Sequence, residues 1–220
     1  MFRRESAVTD QHDVTGESAG LITVAAAGTE TVQALARALE LHHYGGGLFA
    51  ETDAHSVRVT RLALRLAERV APELAADLRL EFGFRLHDIG MLGVSNAVLR
   101  KRGGLTNDEL AQVREHPYLG ERIVAPVSYL SGVARQVIGA HHERWNGSGY
   151  PRRLEGERIP LPARIFMLAD VYDAMTSNQP YREALPVADV LEHIEDGAGR
   201  EFDPEIVPVF VALIEDLQAE

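Results

Sequence analysis

The sequence predicts an all-α bundle carrying one long functional loop. Three observations predict it: apolar residues recur at three- and four-residue intervals, helix start signals precede those stretches, and the two-residue alternation of strands is scarce. Val32, Leu35, Ala36 and Leu39 form the first stripe, and Val59, Leu62, Ala63, Leu66 and Val70 the second. Each lies on one side of a helix and is read as core. The stretch before Thr29 is polar and weakly periodic, so residues 1–28 are expected to be a flexible lead-in to a single domain over 29–220.

Pro72 suits the first turn of a helix running through Leu74 and Leu78 towards His87-Asp88, because a residue without an N–H costs nothing there. Ile89-Gly90 is expected to end that helix. Thr106-Asn107-Asp108-Glu109 has the capping-box pattern, in which the Thr106 oxygen and the Glu109 carboxylate satisfy the orphan amides of a helix leading to His116. A further helix is expected over Tyr129 to His142. A loop with Gly147 and Gly149 follows, then a helix over Ala163 to Ser177 carrying Asp170 and Asp173. Asp203-Pro204 reads as the start of the last apolar helix.

Composition excludes several classes. A chain of 220 residues is long enough for one sizeable core, and no apolar run approaches the ~20 residues of a membrane span. Without cysteine there is no disulfide, thiolate catalysis or sulfur-ligated metal, and without an apolar signal segment cytoplasmic residence is expected. A net charge of -11 argues against duplex nucleic acid as a partner. A small phosphorylated substrate stays open, since bound divalent cations reverse the local field.

The chemistry concentrates at His141-His142, followed by Glu143-Arg144-Trp145-Asn146-Gly147-Ser148-Gly149-Tyr150-Pro151. Two adjacent imidazoles open a loop whose glycines permit close backbone approach. Further donors are Glu51 and His55, four residues apart, then His87-Asp88, His116 before Pro117, and Asp170 within an apolar run. Helices can converge five imidazoles and three carboxylates on a metal centre, although spacing alone leaves open separate roles as surface or hydrogen-bonded core histidines.

Taken in order, these motifs resemble the HD-GYP family, the bacterial metal-dependent phosphodiesterases of the wider HD superfamily. The resemblance runs from about Glu51 to Phe210 and includes His87-Asp88-Ile89-Gly90, Leu105-Thr106 with Glu109, His116-Pro117 with Gly120, and His141 to Pro151. It continues through Ile159-Pro160, Ala163-Arg164-Ile165, Ala169-Asp170, Asp173-Ala174, Pro180-Tyr181-Arg182 and Phe202-Asp203-Pro204. It implies an HD-superfamily helical bundle with a GYP loop that hydrolyses the second messenger cyclic di-GMP to linear pGpG and onward to GMP. It also implies two or three metal ions held by Glu51, His55, His87, Asp88, His116, His141, His142 and Asp170. His87 and Asp88 would then carry catalysis, with Asp88 bridging metals. Iron or manganese suits the mixed nitrogen and oxygen donors, and zinc, nickel or cobalt is compatible with them. Gly149, Tyr150, Met91, Gln179 and Arg182 are expected to line the substrate.

Three positions depart from the family pattern. Met91 stands where lysine is usual, Asn146 where aspartate is usual, and Gln179 where arginine is common. Met91 either removes a cation from the phosphate or packs as an apolar filler, and Asn146 can keep its place through turn chemistry. Arg164 is expected to pair with a helix carboxylate. His12, His42, His43 and His193 fall outside the motifs and are not expected in the site. Two alternatives follow: a slow, metal-containing domain that senses cyclic dinucleotides or docks a signalling protein, and an HD hydrolase of another nucleotide.

Overall fold

A computed structural model describes residues 28–39, 53–101, 103–178 and 183–220. The expected lead-in, apart from Gly28, lies outside the described residues, as do Glu51, Gln179 and Arg182. The described residues contain helices and isolated bridges and no strand, as the periodicity requires. In chain order the helices are α1 (28–39), α2 (Asp53–Val70), α3 (Pro72–Ala75), α4 (Leu78–Arg85), α5 (Asn96–Leu99) and α6 (Asn107–Arg114). Then come α7 (His116–Val124), α8 (Val133–Ala140), α9 (Leu161–Thr176), α10 (Val187–Asp196) and α11 (Val207–Ala219).

Most positions of the two stripes are core; Leu35 is exposed, and Leu62 and Val70 are partly buried at its edge. Val59, Ala63 and Leu66 of α2 are fully buried with Ile165, Phe166 and Leu168 of α9, and α10 and α11 close this half through Val190, Ile194, Phe210 and Leu213. A second apolar cluster joins Val32, Ala36 and Leu39 of α1 to Leu86, Ile89, Met91, Val98 and Ile138. The histidine-bearing ends of α4 and α8 run between these two clusters, so the site is held from both sides.

Several boundaries differ from expectation for local reasons. The helix begun by Pro72 stops after Ala75, and Asp77 caps a new one by accepting from Arg79 N at 3.0 Å. The expected Tyr129–His142 helix is a 3-10 turn over Ser128–Leu130, a break at Gly132 with φ 64°, and α8. Asp203 precedes the last helix by a turn; its Oδ1 accepts from Glu205 N and α11 begins at Val207. Helix α10 is absent from the sequence-based expectation, although Val187, Val190, Leu191 and Ile194 have helical spacing after Pro186. The Thr106–Glu109 capping box forms as expected, with both reciprocal bonds present.

Candidate metal centre

Each described donor sits at or just past a helix end or on a partly buried helix face. His55 lies on α2, His87 and Asp88 follow α4, His116 opens α7, His141 and His142 follow α8, and Asp170 lies on α9. Two groups result, each with ligand atoms within 4.8 Å of one another: Asp88, His116, His141 and His142, and His55, His87 and Asp170. Asp88 faces both. Its Oδ1 is 3.1 Å from His116 Nε2 and 3.7 Å from His141 Nε2, while its Oδ2 is 3.5 Å from His87 Nε2.

The backbone fixes which nitrogen each imidazole presents. His87 Nδ1 lies 2.9 Å from the Phe84 carbonyl, His116 Nδ1 lies 2.8 Å from that of Val113, and His141 Nδ1 lies 3.1 Å from that of Ile138. A carbonyl only accepts, so each Nδ1 carries a hydrogen, and in the neutral ring Nε2 is left with a lone pair facing inward. His116 Nε2 and His141 Nε2 approach to 3.1 Å, both beside the Asp88 carboxylate. Two lone pairs and an anion so close repel unless a cation lies among them, and the donor set therefore fits a metal ion.

The electrostatics agree. Burial would raise the Asp88 carboxyl, but the surrounding imidazoles, His87 first and then His116 and His141, hold it well below the usual carboxylate range. Burial lowers His141, and burial with the neighbouring His141 pushes His142 further down, leaving neutral imidazoles with lone pairs free. At His55 burial acts downward too, yet the hydrogen bonds and charges of Asp170 and Asp173 raise it to about 10. A field that holds a proton this strongly attracts a cation of any kind.

Asp173 was placed on the same helix as Asp170 by sequence but not in the site. Its buried carboxylate lies 2.7 Å from His55 Nδ1 and accepts from Arg58 Nε at 2.6 Å and from an Arg58 terminal nitrogen at 2.9 Å. It thereby aims His55 Nε2 at Asp170, 3.5 Å away. Carboxylates that orient a ligand histidine set metal affinity, so Asp173→Asn is expected to lower it roughly 10–100-fold with a small change in melting temperature. Metal titration of the chelated variant checks this, and an affinity equal to wild type would remove Asp173 from the site.

The loop after His142 is held at both ends. Glu143, fully buried, accepts from Arg152 N at 2.7 Å and Leu154 N at 3.0 Å, and Tyr150 N donates to the His142 carbonyl at 3.1 Å. Gly149 lies so close to this strap that a Cβ would be 2.3 Å from Arg144 N, which explains glycine there. Tyr150, joined to Pro151 by a cis peptide, stacks on His142 at 4.7 Å between ring centroids, so it forms a wall of the site. Asn146 Oδ1 accepts from Ser148 N, the turn role read for it. Trp145 lies against the Arg164 guanidinium, and Arg164 pairs with Asp203.

Met91 corrects an expectation. Its side chain is buried in the apolar cluster of Leu86, Ile89, Val94 and Val98, which makes it a packing residue and not a substrate contact. Glu51, Gln179 and Arg182 lie outside the described residues. His193 rests on Phe202, apart from both donor groups.

Comparison with known proteins agrees with this architecture. Residues 47–206 match the sequence model of the HD domain, and the chain belongs to that family. It is 38% identical over 184 residues to a cyclic di-GMP phosphodiesterase of Vibrio cholerae, covering 77% of this chain and 37% of that protein. It is 40% identical over 154 residues to a 3'3'-cGAMP-specific phosphodiesterase of the same organism, covering 70% of this chain and 33% of that protein. The chain thus spans less than half the length of these relatives. A solved HDG"Y"P protein from Bdellovibrio bacteriovorus superposes with a TM-score of 0.57 at 22% identity, over 73% of this chain and 51% of that one, showing the shared fold. The HD-GYP resemblance read from the motifs is borne out.

Proposed function

We propose that the chain is a metal-dependent phosphodiesterase that opens cyclic di-GMP to linear pGpG. The observation that carries it is the 3.1 Å approach of two lone-pair-bearing imidazole nitrogens beside Asp88, a geometry that calls for a cation. His116, His141 and His142 would hold one ion, and His55, His87 and Asp170 another, with Asp88 shared between them and Glu51 completing the set. Iron or manganese suits these donors. When bound, such ions supply Lewis acidity, acidifying water and drawing charge from the phosphoryl group.

The protein's own part is placement. Carbonyls of the α4, α6 and α8 turns aim three imidazoles with Nε2 towards the site, and Asp173 aims that of His55. The Tyr150 ring covers His142 and bounds the space in which a phosphodiester can sit. No helix among the described residues is long and apolar enough to cross a membrane, and a cytoplasmic site of action belongs to this proposal.

One observation favours a different reading: relatives of similar identity carry different substrate names. Assays of cyclic di-GMP and 3'3'-cGAMP with added manganese or reduced iron decide among them. The expected result is pGpG formation from cyclic di-GMP. Binding without turnover selects the sensor, and faster turnover of 3'3'-cGAMP selects the other dinucleotide.

A further inference from the structure

The loop that carries Tyr150 rests on a turn outside both donor groups. Its base closes on itself: Gly156 N donates to the Trp145 carbonyl at 2.8 Å, and Asn146 and Glu155 form a bridge. That base is laid on the turn between α10 and α11. Trp145 N donates to the Glu201 carbonyl at 3.0 Å and Asn146 N to that of Arg200 at 2.9 Å, while Arg144 lies 3.4 Å from the Glu201 carboxylate. Phe202, fully buried in the larger apolar cluster, fastens the turn to the core.

One side chain joins loop, turn and metal-bearing helix. Arg164 lies in the first turn of α9, the helix that also carries Asp170, and only 15% of its side chain is exposed. It donates from Nε to the Ile159 carbonyl at 2.9 Å, pairs through a terminal nitrogen with the buried Asp203, and lies over the Trp145 ring at 5.8 Å. The in-plane N–H groups of a guanidinium serve the carbonyl and the carboxylate, and its flat face is left for the indole. Ile159 and Ala163 pack with Ala140 beside it, at the end of the helix that leads into His141 and His142. None of these contacts reaches into the site. What they fix is where the Tyr150 loop stands relative to α9.

We propose that Arg164 is a positioning residue for the hydrolysis: locked by Asp203, it holds Trp145 and the base of the loop, and so sets the stand of the Tyr150 wall against the donors on α9. The assignment rests on the phosphodiesterase reading above. Loosening this latch removes no metal donor, so it weakens the hold on a large diester while the metal stays bound. Trp145 is the only tryptophan of the chain, and its fluorescence therefore reports on the latch without any turnover.

Removing Arg164 alone leaves the Asp203 carboxylate buried and unpaired, which destabilises the fold by itself. The test therefore uses the metal-loaded full chain with Arg164→Gln and Asp203→Asn together, since the asparagine oxygen still accepts from Glu205 N. Trp145 emission is expected to shift to the red and its quenching by acrylamide to rise. KM for cyclic di-GMP should rise about three- to tenfold, the scale of one cation–π contact, with kcat changing by less and metal content equal to wild type. Trp145→Phe, which keeps an aromatic face for Arg164, should hold KM close to wild type where Trp145→Ala raises it. Unchanged emission and quenching in the paired variant show that Arg164 does not hold Trp145, and a wild-type KM with a loosened Trp145 shows that the stand of the loop does not govern binding; either overturns the proposal. Metal lost in step with KM overturns it too, because the pair is then a structural support only. A wild-type protein that does not cleave cyclic di-GMP overturns the substrate reading alone, and the latch is then decided by the fluorescence.

Discussion

Replacing His87 and Asp88 together by alanine is expected to strip most metal from the protein and to lower turnover on the order of 10³-fold or more. Asp88 is the one described residue whose two oxygens face both donor groups, and His87 belongs to the second of them. Their loss leaves neither group complete. Fold should survive, because the turn is held by the apolar side chains around it: Phe84, Leu86 and Ile89 are buried and none is altered. Elemental analysis and circular dichroism on one preparation check both halves. Metal content equal to wild type would reject the assignment of these residues.

Gly90→Ala is expected to damage the site from outside it. A Cβ on Gly90 would lie 1.8 Å from the His116 carbonyl oxygen and 2.6 Å from Gly120 N, both backbone atoms that no rotamer change can move. The close contact of α7 with the turn over Ile89–Gly93 is what carries His116 to within 3.1 Å of Asp88. Pushing α7 away costs about 3 kcal/mol of overpacking, a fall of roughly 6–12 °C in melting temperature for a domain of this size. Metal affinity should fall with it. An unchanged melting temperature with full metal content would show that the contact is looser than described.

The glycine of His-Asp-Ile-Gly reads as a helix stop, but α4 already ends at Arg85 and Gly90 lies within a 3-10 turn over Ile89–Gly93; its role as a contact surface for α7 is not legible, because that depends on a partner 26 or more positions away. Asp173 shows the same limit. Its spacing from Asp170 puts both on one helix, but His55 lies 118 positions away and Arg58 115, and no local pattern announces the pairing. The helical periodicity, the capping box at Thr106 and the donors other than Glu51 were readable, since each follows from local spacing or from ordered motifs. Helix ends at Ala75 and Gly132 were not, because a side-chain cap at Asp77 and a positive φ outweighed apolar periodicity. Met91 was read in two ways, and only its neighbours Leu86 and Val98 decide for packing.

The central claim is that two metal-holding groups sharing Asp88 enable hydrolysis of a cyclic dinucleotide. Its most direct test is cyclic di-GMP turnover by anaerobically purified protein before chelation, after chelation, and after titration with manganese or reduced iron, with metal content measured at each stage. The account predicts that chelation abolishes turnover and that pGpG formation returns as content reaches about two or more ions per chain. Undiminished turnover by protein shown to be metal-free would contradict it.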